Sequence, residues 1–296
     1  MPSLLRKVKS RLFISSRRHA FHQLDGQYRS QARARGSDFD DLREYAAGDD
    51  VRDIDWNATA RSGATLIRRY RAERTQIVTF LVDTGRSMAA VTRTREEKRD
   101  IAVALVGTVA YLATRHGDDV AMLYGPADAP LRIAPGRSDA HLERMLRAVD
   151  TAVTPTAPAG NLGQLLAYAA RTITRRMILV CVSDEAPLDD PTLQTLRRLR
   201  ARHDILWLSV GDSELAATHR GAARRLTEIS TGRRLPDFVL GTRGVRAEAI
   251  ESRDRQRQDR AERLDRAGIS HALIHSDDDV LAELIALLSR RGYARG

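Results

Sequence analysis

From residue 76 onward the chain alternates short apolar runs with longer amphipathic ones. Gln76–Val82 is apolar and β-branched and predicts a buried strand. Glu96–Arg115 follows, with Ile101, Leu105, Val109 and Leu112 along one helical face. Asp119–Tyr124 predicts a second strand, and Leu131–Ala134, after a Pro/Gly turn, a short edge strand. Ser138 is placed to cap a helix through Val149, with Leu142, Met145, Leu146 and Val149 inward. Beyond the Thr/Ala/Pro-rich stretch Thr151–Gly160, the pattern predicts a helix over Leu162–Thr174. Arg176–Ser183 then reads as a continuous apolar strand, suited to the middle of a parallel sheet. Asp190 caps the next helix, with Pro191 in its first turn. Asp204–Val210 is a strand, Ser213–Ser230 reads as helical, and Gly244–Ala267 is a highly charged helix. Ile269–His275 is the last strand, and Ser276 caps a final helix through Arg291. Strands and helices alternating at these lengths predict an α/β fold with a doubly wound, mostly parallel sheet.

The first 75 residues are different. Leu4, Leu5, Val8 and Leu12 are spaced for one short amphipathic helix. Residues 36–63, rich in Gly, Asp and Arg, read as loop and turn, and Thr65–Arg71 has strand character. No internal repeat and no second apolar core is evident. The organisation expected is a basic arm over 1–35, a segment over 36–75 packed on the domain, and the α/β domain over 76–296.

Charge sharpens that division. The net charge is +10, yet residues 1–35 hold nine Lys/Arg against one acid, Asp25, so most of the excess lies in the arm. It reads as a solubilising tail, with anionic lipid, nucleic acid or an acidic partner as what it would otherwise touch. No apolar stretch is long enough to cross a bilayer, and Leu12–Ser15 is too short for a secretory signal. The one cysteine, Cys181, cannot form an internal disulfide and sits in an apolar run, as an inert buried thiol does. A cytoplasmic location is expected, with any membrane attachment peripheral.

In a sheet of this kind, sites form at the carboxyl ends of strands beside the topological switch point. Three loops should meet there: Asp83-Thr84-Gly85-Arg86-Ser87, Ser183-Asp184-Glu185, and Gly160-Asn161 ahead of a helix. The pattern Asp-x-x-x-Ser after the first strand resembles the metal-ion-dependent adhesion site of von Willebrand A domains. That resemblance implies a magnesium ion held by two serines, a threonine and an aspartate. Asp83, Ser87 and Asp184 match, but Gly85 stands at the first serine position and Gly160, beside Asn161, at the threonine position. With two of three hydroxyls missing the site is degenerate. Its loops are expected to form a partner-binding rim of Gly85, Arg86, Gly160, Asn161 and Glu185, with no cofactor; Mg2+ at the three retained positions is the alternative.

Upstream, Arg43, Glu44, Tyr45, Gly48, Asp49, Asp50, Arg52, Asp55, Trp56 and Arg61 form a string similar to the signature of the bacterial family called domain of unknown function 58. The carboxylates and arginines of the string are expected to pair and hold an irregular loop with Trp56 packed as its anchor. The other reading is that Arg and Trp here contact a partner. Carboxylates paired with arginine stay ionised and are poor general acids.

Other candidates carry less. His271 and His275, in a strand, would be about 13 Å apart, too far to share a zinc ion. The charged helix mixes Arg with Asp and Glu, as solvated faces do. Members of the resembled family are commonly encoded beside MoxR-type AAA+ ATPases. The resemblance therefore implies a non-catalytic adaptor that works with such an ATPase on other proteins. Binding of nucleic acid or an anionic surface through residues 1–35 is the alternative.

Overall fold

The computed structural model describes residues 3–13, 15–36, 39–46, 49–51, 54–70, 75–125, 130–160, 162–213 and 243–293. The expected helix over Ser213–Ser230 therefore lies outside the described residues, apart from Ser213.

Six strands form the main sheet: β3 (Ile77–Val82), β4 (Asp119–Tyr124), β5 (Leu131–Gly136), β6 (Ile178–Ser183), β7 (Asp204–Val210) and β8 (Ser270–Ile274). Their order is β5-β4-β3-β6-β7-β8, parallel throughout except for β5 at one edge. The chain winds outward from β3 in one direction and from β6 in the other, so the switch point lies between these two strands. Helices cover both faces, which explains why the central strands carry apolar residues on both sides. In β6, Ile178, Val180 and Val182 enter one core while Leu179 and Cys181 enter the other.

The first core lies under α4 (Lys98–Arg115), α5 (Asp139–Ala152) and α9 (Asp279–Tyr293). The second lies under α6 (Leu162–Thr172) and α7 (Asp190–Arg200), and is closed by Leu264 of α8 (Arg243–Arg266). The N-cap of α7 is Asp189, one residue before the expected Asp190. Its side chain accepts from the Thr192 amide at 2.9 Å, while Asp190 sits in the first turn with Pro191.

Two expectations for the N-terminal part need correction. Residues before 37 are not a tail hanging from the domain. They form α1 (Leu4–Leu12) and α2 (Ser15–Gly36), and Leu5, Val8, Leu12, Phe21, Leu24 and Tyr28 are all buried in the first core. The amphipathic spacing of α1 was legible; a second helix built on Phe21, Leu24 and Tyr28 was hidden by the surrounding polar residues. Residues 36–63 are not irregular throughout either. β1 (Phe39–Glu44) pairs antiparallel with β2 (Leu66–Tyr70) in a separate two-stranded ribbon, and the connection carries α3 (Trp56–Ser62). No described helix is long and apolar enough to cross a membrane.

Candidate functional site

Parallel pairing of β3 with β6 brings their carboxyl ends to the same edge of the sheet. The ladder runs one residue further, with the Asp83 amide donating to the Val182 carbonyl at 2.9 Å. This fixes Asp83 at the switch point, 7% exposed, with its Oδ1 accepting from the Gly85 amide at 2.8 Å. Burial and then the nearby Asp184 carboxylate push the Asp83 carboxyl up to about 6; the Gly85 N–H and the Lys98 charge oppose that rise. Asp184 is half-buried, and its Oδ1 accepts from the Ala186 amide at 3.0 Å. Ser87 is half-buried in the short 3-10 turn Arg86–Ala89.

The third loop closes onto the first. The Arg86 amide donates to the Pro158 carbonyl at 3.0 Å. A Cβ on Gly85 would stand 2.2 Å from both the Cα and the N of Gly160. A Cβ on Gly160 would stand 2.5 Å from both carboxylate oxygens of Asp83. The two glycines therefore do more than lack hydroxyls: they let two backbones pack together where a serine and a threonine would need room. With the Gly85 and Gly160 backbones packed against each other and Gly160 against the Asp83 carboxylate, the residues present do not fit the hydroxyl-lined magnesium site that the resemblance implies. Arg86 is half-buried on this rim, with its buried Nε lacking a hydrogen-bond partner among the described residues. Asn161 lies outside the described residues.

Glu185, expected on the exposed rim, is instead enclosed, its side chain 4% exposed. It accepts from Arg257 Nε at 2.6 Å and Nη2 at 2.9 Å, from Arg260 Nη2 at 3.2 Å and from the Asp212 amide at 2.8 Å. Burial alone would raise its carboxyl. The Arg257 hydrogen bonds, the Asp212 N–H and the two guanidinium charges outweigh burial and bring it down to about 2. Beside this cluster, Lys98 is completely buried and donates from Nζ to Asp212. Lys98, Asp212, Arg257 and Arg260 were not singled out from the sequence, because a charged residue read alone looks solvated. A signal existed for Lys98: it is the one lysine beyond the N-terminal segment in a chain whose other cations there are arginine.

The ribbon places the signature residues. Arg43 Nη2 holds Asp49 Oδ1 at 2.5 Å, and Asp49 also accepts from the Ala46 amide at 2.8 Å. The Arg43 hydrogen bond keeps the Asp49 carboxyl below its ordinary value. Asp55 is the N-cap of α3, accepting from the amides of Asn57 and Ala58, both at 3.0 Å. Trp56 is not the packed anchor expected. It stands at the first position of α3 and is 66% exposed, with Val51 58% and Tyr45 38% exposed in the same ribbon unit. The cap fixes where the helix starts, and the indole at its first position stands largely in solvent. Glu44, Asp50 and Arg61 are exposed. Gly48 and Arg52 lie outside the described residues.

His271 lies within 3.2 Å of Asp265, and His275 packs on Gly211, so each ring has its own surroundings. A cavity of about 250 Å³ opens around the start of β3 and the end of α6, among Ile77, Ala121, Ile133, Tyr168 and Met177. It holds none of the expected site residues.

A family model described as a protein of unknown function, DUF58, matches residues 41–259. The chain belongs to the DUF58 family. The match takes in both the ribbon with its exposed Trp56 and the clustered loops of the sheet edge. Uncharacterized protein Mb1516 of Mycobacterium bovis and uncharacterized protein Rv1480 of Mycobacterium tuberculosis are each 30% identical to it over 278 residues, covering 88% of this chain and 82% of theirs. Among solved structures, a von Willebrand factor type A protein from Catenulispora acidiphila aligns with a TM-score of 0.39 at 10% identity, over 76% of this chain and 43% of that one.

Proposed function

We propose that this DUF58 protein is a non-catalytic interaction module that works in the cytoplasm as an adaptor for a MoxR-type AAA+ ATPase. The observation that carries the reading is the exposure of Trp56, with Tyr45 and Val51 also exposed in the same ribbon unit. Tryptophan and tyrosine are the side chains that most often dominate protein interfaces, and an indole held in water by a capped helix is poised for a partner. The sheet edge supports the same reading. Asp83 carries the raised pKa that a general base would need, but the Gly160 backbone lies close against its carboxylate. Glu185 is tied to two arginines and stays ionised. The edge then serves as a rigid rim rather than as a reaction centre.

The alternative, binding of nucleic acid or an anionic surface by the N-terminal residues, has fewer free cations than the sequence suggests. Lys7, Lys9, Arg11 and Arg29 lie against Asp100, Asp139, Asp277 and Asp25. The test is the affinity of the purified chain for a purified MoxR-type ATPase from the same genome. Trp56→Ala is expected to weaken it at least tenfold, and the triple change Asp83→Ala, Ser87→Ala, Asp184→Ala to weaken it while the fold persists. No binding by the wild type, or equal binding by Trp56→Ala, would refute the reading.

A further inference from the structure

The carboxyl edge of the sheet gathers Asp83 from the end of β3, Asp184 and Glu185 from β6, and Asp212 from β7. Four carboxylates in so small and partly buried a space need cations beside them. Glu185 takes Arg257 and Arg260 of α8. Asp212 takes Lys98, whose side chain is 0% exposed and whose charge also bears on Asp83. Lys98 is the first residue of α4, and its backbone amide donates to the Ala90 carbonyl at 2.9 Å, so the turn that follows Asp83 fixes its position. A lysine is otherwise hardly ever wholly buried unless a partner holds its charge. The Gly85 amide, 2.8 Å from Oδ1, and the Gly160 backbone stand against the Asp83 carboxylate.

We propose that Lys98 is the resident cation of this edge: a fixed ammonium group, covalently part of the chain, does the charge-balancing that a divalent metal does in a metal-built rim. The edge is then assembled permanently, whatever the divalent-ion concentration. This does not depend on which partner the protein binds, and its test involves none.

The full chain is titrated with Mn2+ under electron paramagnetic resonance detection, and its thermal midpoint is measured in EDTA and in millimolar MgCl2. The wild type is expected to bind no Mn2+ below millimolar concentration and to unfold at the same temperature in both buffers. Lys98→Met, which keeps length but removes charge, is expected to lower the midpoint by about 5 °C or more. Adding Asp212→Asn should recover part of that loss, because the stranded carboxylate is gone. Wild-type Mn2+ binding at micromolar concentration, or a midpoint several degrees higher in MgCl2 than in EDTA, would overturn the proposal. So would a Lys98→Met chain as stable as the wild type. If Lys98→Met does not fold, the comparison of the double variant with the wild type and the wild-type metal titration still decide the question.

Discussion

At the scale of single residues, Asp83 is held at a cost. Its carboxyl titrates at about 6 in the fold, against an ordinary value of 3.8. The folded state therefore binds this proton more tightly than the unfolded chain does. The stabilisation that follows is complete below 3.8 and is lost as pH rises through about 6. Replacing the ionisable group should remove that penalty: Asp83→Asn is expected to raise stability at pH 8 by about 3 kcal/mol, with little difference at pH 4, in urea unfolding at the two pH values. Equal stability of the two proteins at pH 8 would count against it. Cys181 is the opposite case. It is wholly buried, and burial pushes its thiol up to about 12, so the native chain should react with a thiol reagent only as fast as it unfolds. Asp83, Asp184 and Cys181 were legible because strand ends and apolar runs can be read locally. Lys98 and Asp212 were not, since their pairing spans 114 residues and leaves no local pattern.

Among elements, α8 shows how far a periodic pattern can mislead. Its helical state was legible, but its face was not. Arg253, Arg257, Arg260 and Leu264 recur at helical spacing, and this stripe, not an apolar one, seats the helix. Arg253 reaches the Ser213 carbonyl at 2.5 Å, Arg257 and Arg260 grip Glu185, and Arg263 reaches Asp190 at 2.9 Å. Leu264 is the buried apolar residue of this stripe. A seat of charges depends on each partner. Glu185→Ala would take from Arg257 and the buried Arg260 their shared carboxylate, leaving Asp254 to the first and the Asp184 and Ala186 carbonyls to the second, at a cost of about 3–5 kcal/mol. Hydrogen exchange across Arg243–Arg266 should quicken well beyond that of β3 and β6; uniform change across the chain, or none, would show that α8 is held otherwise. The folded-state value of Glu185 is about 2, below its ordinary 4.5, so its contribution is present above 4.5 and fades as pH falls toward 2. The strands were the easiest elements to predict because the central four are apolar on both faces. β1 and α3 were missed because short elements such as these offer too little period to read.

For the whole molecule, the N-terminal helices change what a truncation would do. A basic tail could be removed without harm, whereas α1 and α2 bring six large apolar side chains to the first core. Burying Leu5, Val8 and Leu12 alone stabilises by about 1.5–3 kcal/mol each. Deleting residues 1–36 is therefore expected to lower the thermal midpoint by more than 10 °C or to leave the chain aggregated; a truncated chain with an unchanged midpoint would show the helices to be dispensable. The polar faces of these helices are also tied down, with Glu143 of α5 accepting the Leu4 and Leu5 amides at 3.1 and 2.8 Å. The ribbon leaves Trp56 in water, while the other tryptophan, Trp207, is 2% exposed in the second core. The division of labour is a rigid α/β body with a charge-balanced edge, carrying a small unit that shows aromatic surface.

The central claim is that this surface is where a protein partner docks, and hydroxyl-radical footprinting of the chain alone and in mixture with the purified MoxR-type ATPase tests it directly. The account predicts that oxidation of Trp56 and Tyr45 falls several-fold in the mixture, while exposed Phe13, far along the chain on α1's end, is oxidised as before. Unchanged oxidation of Trp56 in a mixture where the two proteins are shown to associate would contradict it.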